Sequence, residues 1–551
     1  MKLSYKIFCA TLALLCGVGA MAQQQGDFYA SQREGWAQKA EASKPSLTKT
    51  VYRPVGLVES VYDDVAFQNW RMVPTEPMEA LYGVSLKEKP VSIVDFGRHM
   101  TGYYTFRLKT THRTQDAPMR IRFTFAEVPS ELNTPLDPYK GTLSRAWVQD
   151  ETLTIEQIDC DITIPRRLAG RYMKIELLGA SPDFDFRMED MWFTAQSSAD
   201  HATLLPLPEG ASEEIRAISE VAIETLHECM QTVYEDGPKR DMRLWIGDLY
   251  LEQLANIYSF RQHDLTKRCL YLLASLAAED GRLHANVFER PEPHPQYGSH
   301  ALDYSLIYNV ALLEYLKATN DYETARDLWV VAKRQIDDAK GYLTDDYIFD
   351  AARYGEPIWL VFDWRDGYDR SASIQGLMIW ALENSSELAD MLGNAAEAKE
   401  WRKLAATMRK AARKHLYDKK QGVVLSGPEG QISYLSQVWA ILSDILNEKE
   451  GQRALNTVFA MDDVIYPGAP YAYHYLIEAC VKCGLHEEAR TRLVEYWGGM
   501  VERGADTFWE VYDPENEALS PYNFFVINSY CHAWSCTPIY FIQKYPQIFC
   551  E

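Results

Sequence analysis

The stretch QSSADHATLLPLPEG at residues 196–210 divides the sequence into two regions with different hydrophobic periodicity. Before this stretch, apolar and polar residues alternate, as Met119, Ile121 and Phe123 show, and a period of two is typical of half-buried strands. After it, apolar residues recur at helical spacing almost to the end of the chain. The sequence therefore predicts a β-domain followed by a helical domain.

The first region, residues 50–200, contains several short runs of alternating apolar residues. Clusters of Gly, Pro and Asp separate these runs and mark turns between strands. Short strands at such spacing are typical of an antiparallel β-sandwich, which we predict for this domain. Residues 23–49 before it are predicted to form an N-terminal extension.

The second region, residues 209–545, contains twelve segments with helical periodicity. Twelve consecutive helices fit six helical hairpins closed into a ring, an (α/α)6 toroid. The predicted helices begin near residues 209, 245, 264, 298, 322, 370, 394, 431, 449, 469, 486 and 523.

The connections between these helices alternate in length. Those after the even-numbered helices are short, whereas those after the odd-numbered helices are long. In a ring of hairpins all odd connections emerge on one face, and long loops in a compact domain are usually functional. We therefore expect the site on that face. The long loops span about 232–244, 280–297, 339–369, 416–430, 460–468 and 501–522.

The long loops combine carboxylates with Trp, Tyr and Arg, as in 359–368 and 506–513. Aromatic faces stack on sugar rings, charged groups bind hydroxyls, and paired carboxyls perform the acid–base steps of glycoside hydrolysis. The sequence has no GxSxG, HExxH or GxxxxGK[ST] motif, which argues against the corresponding hydrolase, metalloprotease and nucleotide sites. The alternative reading is a solvated rim whose acids cap helices.

The N-terminus is predicted to be a signal peptide over residues 1–22. Lys2 and Lys6 precede an apolar run, and Ala20-Met21-Ala22 matches a cleavage site, so the mature chain would begin near Gln23. The apolar run is too short for an ordinary membrane span. We therefore predict an exported protein, most simply periplasmic, with no membrane insertion.

The composition also limits the partners. With 78 acidic and 56 basic residues the net charge is −22, which disfavours nucleic acid because phosphate binding depends on clustered Lys and Arg. A carbohydrate is the predicted partner. The sequence does not indicate the oligomeric state.

Several motifs carry a more specific resemblance. They occur in the order VDFGRHMTGYYTFRL at 94–108, AGRYMKIELLG at 169–179, DGPKRDMRLWIGD at 236–248, FDWRDG at 362–367, YWGGMVERGADTFWE at 496–510 and CHAWS at 531–535. The sequence thereby resembles the bacterial α-L-rhamnosidases of glycoside hydrolase family 78, which belong to the six-hairpin glycosidases. The resemblance spans roughly residues 90 to 540.

The resemblance implies an inverting mechanism with two carboxyl groups. Asp241 stands at the position of the general acid and Glu510 at that of the general base, and Asp236, Arg240 and Asp248 stand at positions that bind the sugar. An inverting enzyme needs a protonated acid on one side of the bond and a water on the other. A guanidinium in contact with Asp241 would favour its charged form, so we expect the neighbouring arginines, Arg240 and Arg243, to point elsewhere.

The same motifs supply the expected walls of the pocket. Trp245, Trp364 and Trp509 are predicted to line it together with Asp363, and His532 is predicted to lie close to it. For each tryptophan the alternative is ordinary core packing, and for the histidine it is a satisfied place in an apolar helix. No cofactor is required by this pattern and no metal ligands are predicted; calcium is possible but not indicated.

The resulting hypothesis is an exported, inverting exo-α-L-rhamnosidase that releases terminal L-rhamnose from glycans or glycosides. Asp241 stands where family members usually carry Glu, and two alternatives therefore stay open. One is a six-hairpin glycosidase with another sugar specificity. The other is a carbohydrate-binding relative that has lost catalysis.

Overall fold

A computed structural model of the protein describes residues 26–354 and 358–550. The predicted signal peptide, residues 1–22, lies outside the described residues. The chain folds into an antiparallel β-domain and a domain of helical hairpins, in the predicted order.

The N-terminal domain is one antiparallel sheet that folds over on itself. Strand β4 makes this possible because its 22 residues pair with β8 up to Gly102 and with β9 from Gly102 onward. The pairing with β8 is interrupted between Asp95 and Met100 by an irregularity that contains Gly97 at φ 79°. The rings of Phe106 and Phe123 pack across the interior with centroids 4.8 Å apart. The strands are β1 (Thr48–Tyr52), β2 (Gly56–Tyr62), β3 (Trp70–Glu76), β4 (Val91–His112), β5 (Met119–Ala126), β6 (Asp150–Ile155), β7 (Asp161–Thr163), β8 (Leu168–Gly179) and β9 (Asp185–Ser197).

The second domain is a closed ring of helices. Helices α4, α6, α8, α10 and α12 contact one another in that order and form the inner layer, and the ring closes where α15 reaches α4. The helices of the protein are α1 (Arg33–Ala42), α2 (Glu79–Tyr82), α3 (Glu213–Cys229), α4 (Ile246–Ile257), α5 (His263–Ser275), α6 (Leu302–Thr319), α7 (Tyr322–Lys340), α8 (Ser371–Leu392), α9 (Ala395–His415), α10 (Tyr434–Leu442), α11 (Glu448–Phe459), α12 (Pro470–Lys482), α13 (His486–Leu493), α14 (Gly499–Glu502), α15 (Pro538–Lys544) and α16 (Pro546–Phe549).

The predicted helix near residue 523 is wrong. Residues 523–537 contain only 3-10 turns, and the last inner helix begins at Pro538. In this segment backbone N–H groups bind distant carbonyls instead of the preceding turn: Ala533 donates to Asp236 at 2.7 Å, and His532 donates to Phe508 at 2.8 Å. The apolar residues of this segment are buried on all sides. Their spacing therefore does not mark one face of a helix.

The N-terminal extension is attached to the outside of the toroid. Helix α1 packs against α5. The Arg33 guanidinium pairs with Asp27 and donates to the carbonyls of Ser275 and Ala277 at 2.9 and 2.6 Å, which satisfies the end of α5.

Two small sheets complete the toroid. Strands β10 (Arg243–Trp245), β11 (Asn286–Phe288) and β12 (His294–Pro295) join the first two long loops, and β13 (Tyr417–Asp418) pairs with β14 (Val423–Val424). Within residues 26–354 and 358–550, no helix combines the length and apolar character needed to cross a bilayer.

Candidate active site

A cavity of about 230 Å³ opens on the loop face of the toroid. It is smaller than the roughly 300 Å³ at which sites for drug-sized ligands begin, so it suits a single sugar ring. Four of the six long loops contribute to its lining within the described chain, together with the inner helices and one residue of the β-domain. The lining residues are Leu143, Asp236, Arg240, Asp241, Arg243, Trp245, Asp248, Gln296, Tyr304, Trp359, Val361, Trp364, Glu510, Tyr522, His532 and Trp534.

Eight of the ten predicted site residues lie in this lining. Residues far apart in the sequence meet there because the loops after α3, α7 and α14 converge on the ring's axis. The eight are Asp236, Arg240, Asp241, Trp245, Asp248, Trp364, Glu510 and His532.

Trp509 does not line the cavity, contrary to the prediction. It is almost fully buried and stacks on Phe67 with ring centroids 4.0 Å apart. Adjacent residues in an extended segment point to opposite sides. Because Glu510 faces the cavity, Trp509 faces the contact between the toroid and the β-domain.

Asp363 also lies behind the cavity rather than in its lining. Its Oδ2 accepts the N–H of Gly468 at 2.9 Å, which ties the third long loop to the fifth. Burial raises the pKa of Asp363 to about 6. This aspartate therefore holds in place the loop that carries Trp364, its neighbour in the sequence.

Glu510 is held by three donors from different segments. The Arg240 guanidinium and the Tyr522 hydroxyl each donate to one carboxylate oxygen, and the Ser529 N–H donates at 3.1 Å. Hydrogen bonds from a guanidinium to a carboxyl group are short and directional. The arrangement fixes the orientation of Glu510.

The expectation that Arg240 and Arg243 point away from Asp241 is wrong. The Nη1 atoms of Arg240 and Arg243 lie 3.4 and 3.5 Å from the two Asp241 carboxyl oxygens. The arginines turn inward because Arg240 also reaches Glu510, while Arg243 packs over the Phe288 ring at 4.3 Å. One guanidinium thus contacts both predicted catalytic carboxyl groups.

Asp236 shares this pocket in a different electrostatic state. Its carboxyl oxygens accept the N–H groups of Arg243 at 3.0 Å and Asp241 at 3.3 Å. Burial and the nearby Asp241 carboxyl raise the pKa of Asp236 to about 8. Asp236 therefore holds a proton at neutral pH.

Asp248 and His532 form the inner end of the cavity. Asp248 Oδ1 lies 3.6 Å from His532 Nδ1, and neither atom has a hydrogen-bond partner among the described residues. Burial raises the pKa of Asp248 and lowers that of His532, because it opposes the charged form of each group. Unpartnered buried polar atoms that line a cavity are suited to bind ligand hydroxyls.

The cavity residues that sequence reasoning missed include Tyr304, Tyr522 and Trp534. Tyr304 is on α6 and resembles any core residue in the sequence. Tyr522 ends the last long loop, and its hydroxyl binds Glu510. Trp534 belongs to the quoted CHAWS motif, and its Nε1–H donates to the Glu510 carbonyl at 3.0 Å. The length of the last long loop could have indicated Tyr522, and the CHAWS motif could have indicated Trp534.

The β-domain supports the catalytic loop through Lys239. The Lys239 ammonium lies 2.9 Å from Glu127 and 2.6 Å from Glu131, two buried carboxylates at the end of β5. Glu127 also accepts the N–H of Tyr530 at 2.6 Å. This buried network fixes the residue next to Arg240 from the side opposite the cavity.

Comparison with known families agrees with this geometry. Residues 54–195 match the family model described as the glycosyl hydrolase family 78 alpha-rhamnosidase N-terminal domain. Residues 209–545, more than half of the chain, match the bacterial alpha-L-rhamnosidase 6 hairpin glycosidase domain. The chain belongs to glycoside hydrolase family 78. The predictions of this family, of the two-part fold and of a glycoside hydrolase are confirmed.

Solved structures show the same similarity. The rhamnosidase from Klebsiella oxytoca with rhamnose bound is 36% identical, with a TM-score of 0.89 over 93% of this chain and 99% of that chain. The family 78 rhamnosidase of Bacillus sp. GL1 is 20% identical with a TM-score of 0.68, over 82% of this chain and 46% of that chain. The second similarity, at lower identity, shows the fold alone.

A shorter match involves another class of enzyme. The N,N'-diacetylchitobiose phosphorylases of Vibrio proteolyticus and Vibrio furnissii are 27% and 29% identical over 129 residues. That segment is 20% of this chain and only 16% of either phosphorylase. The match is a short local one within these larger enzymes.

Proposed function

We propose that this glycoside hydrolase is an inverting exo-α-L-rhamnosidase that releases terminal L-rhamnose from glycans or glycosides. One observation carries the proposal: the Arg240 guanidinium contacts both Glu510 and Asp241 at the wall of a cavity with room for one sugar ring. Similar rhamnosidases from Klebsiella oxytoca and Streptomyces avermitilis were solved with rhamnose and L-rhamnose.

Glu510 is suited to the role of general base. Donors from Arg240, Tyr522 and Ser529 hold its carboxyl group in a fixed orientation. A fixed carboxylate can align a water against the anomeric carbon and take its proton as the bond forms. Attack from the face opposite the leaving oxygen inverts the anomeric configuration.

Asp241 is the proposed general acid, which gives its proton to the departing glycosidic oxygen. Its side chain is the more accessible of the pair, 13% exposed against 2% for Glu510, so it faces the entrance where the leaving group departs. The Nη1 atoms of Arg240 and Arg243 lie 3.4 and 3.5 Å from its two carboxyl oxygens and hold the side chain in place beside the cavity.

Asp236 is a second candidate for the proton donor. Its raised pKa, about 8, provides a proton at neutral pH, and its Oδ2 accepts the Asp241 N–H at 3.3 Å. In the proposed mechanism it binds a sugar hydroxyl as a neutral carboxyl group. The alternative assignment exchanges the roles of Asp236 and Asp241 and leaves Glu510 as the base.

The first experiment is hydrolysis of p-nitrophenyl α-L-rhamnopyranoside with proton NMR of the first-formed sugar. We expect β-L-rhamnose to appear first and to equilibrate with the α-anomer later. Initial α-L-rhamnose would contradict inversion. Hydrolysis of other aryl glycosides alone would identify a different sugar specificity, and binding without turnover would identify a non-catalytic relative.

A second experiment distinguishes the two candidate acids. Protonation of the leaving group matters little when that group is already a weak base, so the acid variant should retain more activity on a dinitrophenyl glycoside than on an alkyl glycoside. We expect this pattern for Asp241→Asn and a uniform loss for Asp236→Asn. The reverse pattern would make Asp236 the acid.

Export and cofactor independence remain proposals as well. We expect bacterial expression of the full sequence to place the protein in the periplasm with an N-terminus at Gln23, which N-terminal sequencing and cell fractionation would test. A cytoplasmic chain that retains Met1 would contradict export.

We also propose that hydrolysis needs no metal and survives exhaustive chelation. Restoration of lost activity by calcium would contradict this.

A further inference from the structure

The linker between the domains brings a second group of polar side chains together, away from the sugar cavity. Glu224 and His227 are three residues apart on α3 and share one face of the helix. His201 begins a 3-10 turn in the linker at residues 196–210. The side chains of these three residues offer ligand atoms that all lie within 4.8 Å of one another.

We propose that His201, Glu224 and His227 bind one divalent transition-metal ion of the Zn²⁺ class. Two imidazoles and one carboxylate are a donor set typical of zinc and of similar borderline ions. The ion would connect the linker to α3 and so join the β-domain to the toroid. This site is independent of the proposed rhamnosidase activity.

The geometry is close to that of a bound site. Tetrahedral zinc with bonds of about 2.0–2.1 Å brings its ligand atoms to about 3.3 Å from one another. His201 Nε2 and Glu224 Oε1 are already 3.6 Å apart, and the two imidazole rings have centroids 4.5 Å apart. The His201 side chain is 45% exposed, so a small rotation closes the remaining gap.

The surroundings of His227 favour coordination through one nitrogen. Its Nδ1 lies 3.2 Å from Glu228, which leaves Nε2 as the nitrogen available to an ion. A carboxylate that binds the second nitrogen of a ligating histidine is the usual outer partner of a metal site.

The free oxygen of Glu224 and the access from solvent also fit a bound ion. Arg98 pairs with Glu224 through Oε2, which leaves Oε1 on the side of the imidazoles. His201 and His227 line a surface cavity of about 130 Å³, so an ion can reach them from solvent.

The test uses the full-length mature protein, stripped of metal and titrated with Zn²⁺ against a chromophoric indicator. We expect one equivalent to bind and to raise the melting temperature, because an ion that binds only the folded state stabilises it. The double variant His201→Ala/His227→Ala should lose this equivalent and the thermal shift. Glu224→Gln should weaken binding at least tenfold.

His415→Ala serves as the matched control because His415 is an exposed histidine on α9, remote from the linker. The proposal is overturned if the stripped wild type binds no zinc, or if the double variant keeps the wild-type equivalent and thermal shift. Circular dichroism and glycoside hydrolysis verify that each variant is folded. Cobalt substitution adds a direct readout, since tetrahedral coordination by nitrogen gives an intense visible spectrum that the double variant should lack.

Discussion

Two buried clusters of charged residues lie on opposite sides of the loop after α3. They differ in how many of their polar atoms have a hydrogen-bond or ion-pair partner. On one side Lys239 neutralises Glu127 and Glu131, and every polar atom of the three has a partner. On the other side the cavity contains unpartnered atoms of Asp248, Trp364 and His532.

This difference distinguishes a cluster that stabilises the fold from a cluster that can bind a ligand. Buried polar groups in folded proteins are nearly always hydrogen-bonded, so a fully paired cluster serves to fix the chain. Unpaired atoms in a cavity are instead available to a ligand. Residues 239 and 240 are adjacent, yet Lys239 anchors the loop to the β-domain while Arg240 contacts the two proposed catalytic carboxyl groups. Four predictions test this division.

The largest expected effect is on catalysis. Glu510→Gln removes the proposed base, so we expect kcat to fall by about 10³–10⁴, in the range attributed to general base catalysis. Steady-state hydrolysis of the aryl rhamnoside measures it. Glu515→Gln, an exposed acid in the same loop, is the control and should keep the wild-type rate. A loss of less than tenfold at Glu510 would remove it from the mechanism.

The anchoring cluster should show its effect in stability. Lys239→Met removes the ammonium that two buried carboxylates share, so the free energy of unfolding should fall by about 3–5 kcal/mol. Urea denaturation measures the change. Lys333→Met removes a surface pair with Glu397 and should cost less than about 1 kcal/mol. Equal losses in the two variants would show that the buried cluster does not anchor the loop.

The pH dependence of stability tests the protonated state of Asp236. Its pKa rises from 3.8 to about 8 on folding, so the stability gained from the bound proton is complete below pH 3.8 and is lost as the pH rises through about 8. Asp236→Asn lacks this titration. We therefore compare the melting temperature of the variant with that of the wild type at each pH. The difference, variant minus wild type, should be several degrees larger at pH 9 than at pH 5.

Differential scanning calorimetry at both pH values measures this shift. Asp366→Asn, at an exposed position of the third long loop, provides the comparison and should differ from wild type by the same amount at pH 5 and pH 9. A constant difference for Asp236→Asn as well would mean that Asp236 is ionised throughout this range.

The smallest effects distinguish the two tryptophans. Trp364→Phe removes an unpartnered cavity N–H, so we expect kcat/KM to fall about tenfold, near the upper value for one hydrogen bond, with little change in melting temperature. Trp509→Phe should leave KM unchanged but cost about 1–3 kcal/mol of stability, because this ring packs on Phe67. Changes in KM of similar size would place both rings at the ligand.

The sequence determined the order of the domains and most of the helices. Periodicity depends on local spacing, and the change at residues 196–210 is sharp enough to show where strands give way to helices. Loop length then indicated which face of the ring carries the site. The resemblance supplied eight residues that line the cavity. These features are local or repeat along the chain.

Only the tertiary structure decided the contacts between distant segments. It placed Arg240 and Arg243 against Asp241, moved Trp509 and Asp363 behind the cavity, and replaced the expected helix near residue 523 with turns. Each of these outcomes depends on partners from other loops or from the β-domain. Side-chain direction and burial are set by such partners, and one-dimensional periodicity does not encode them.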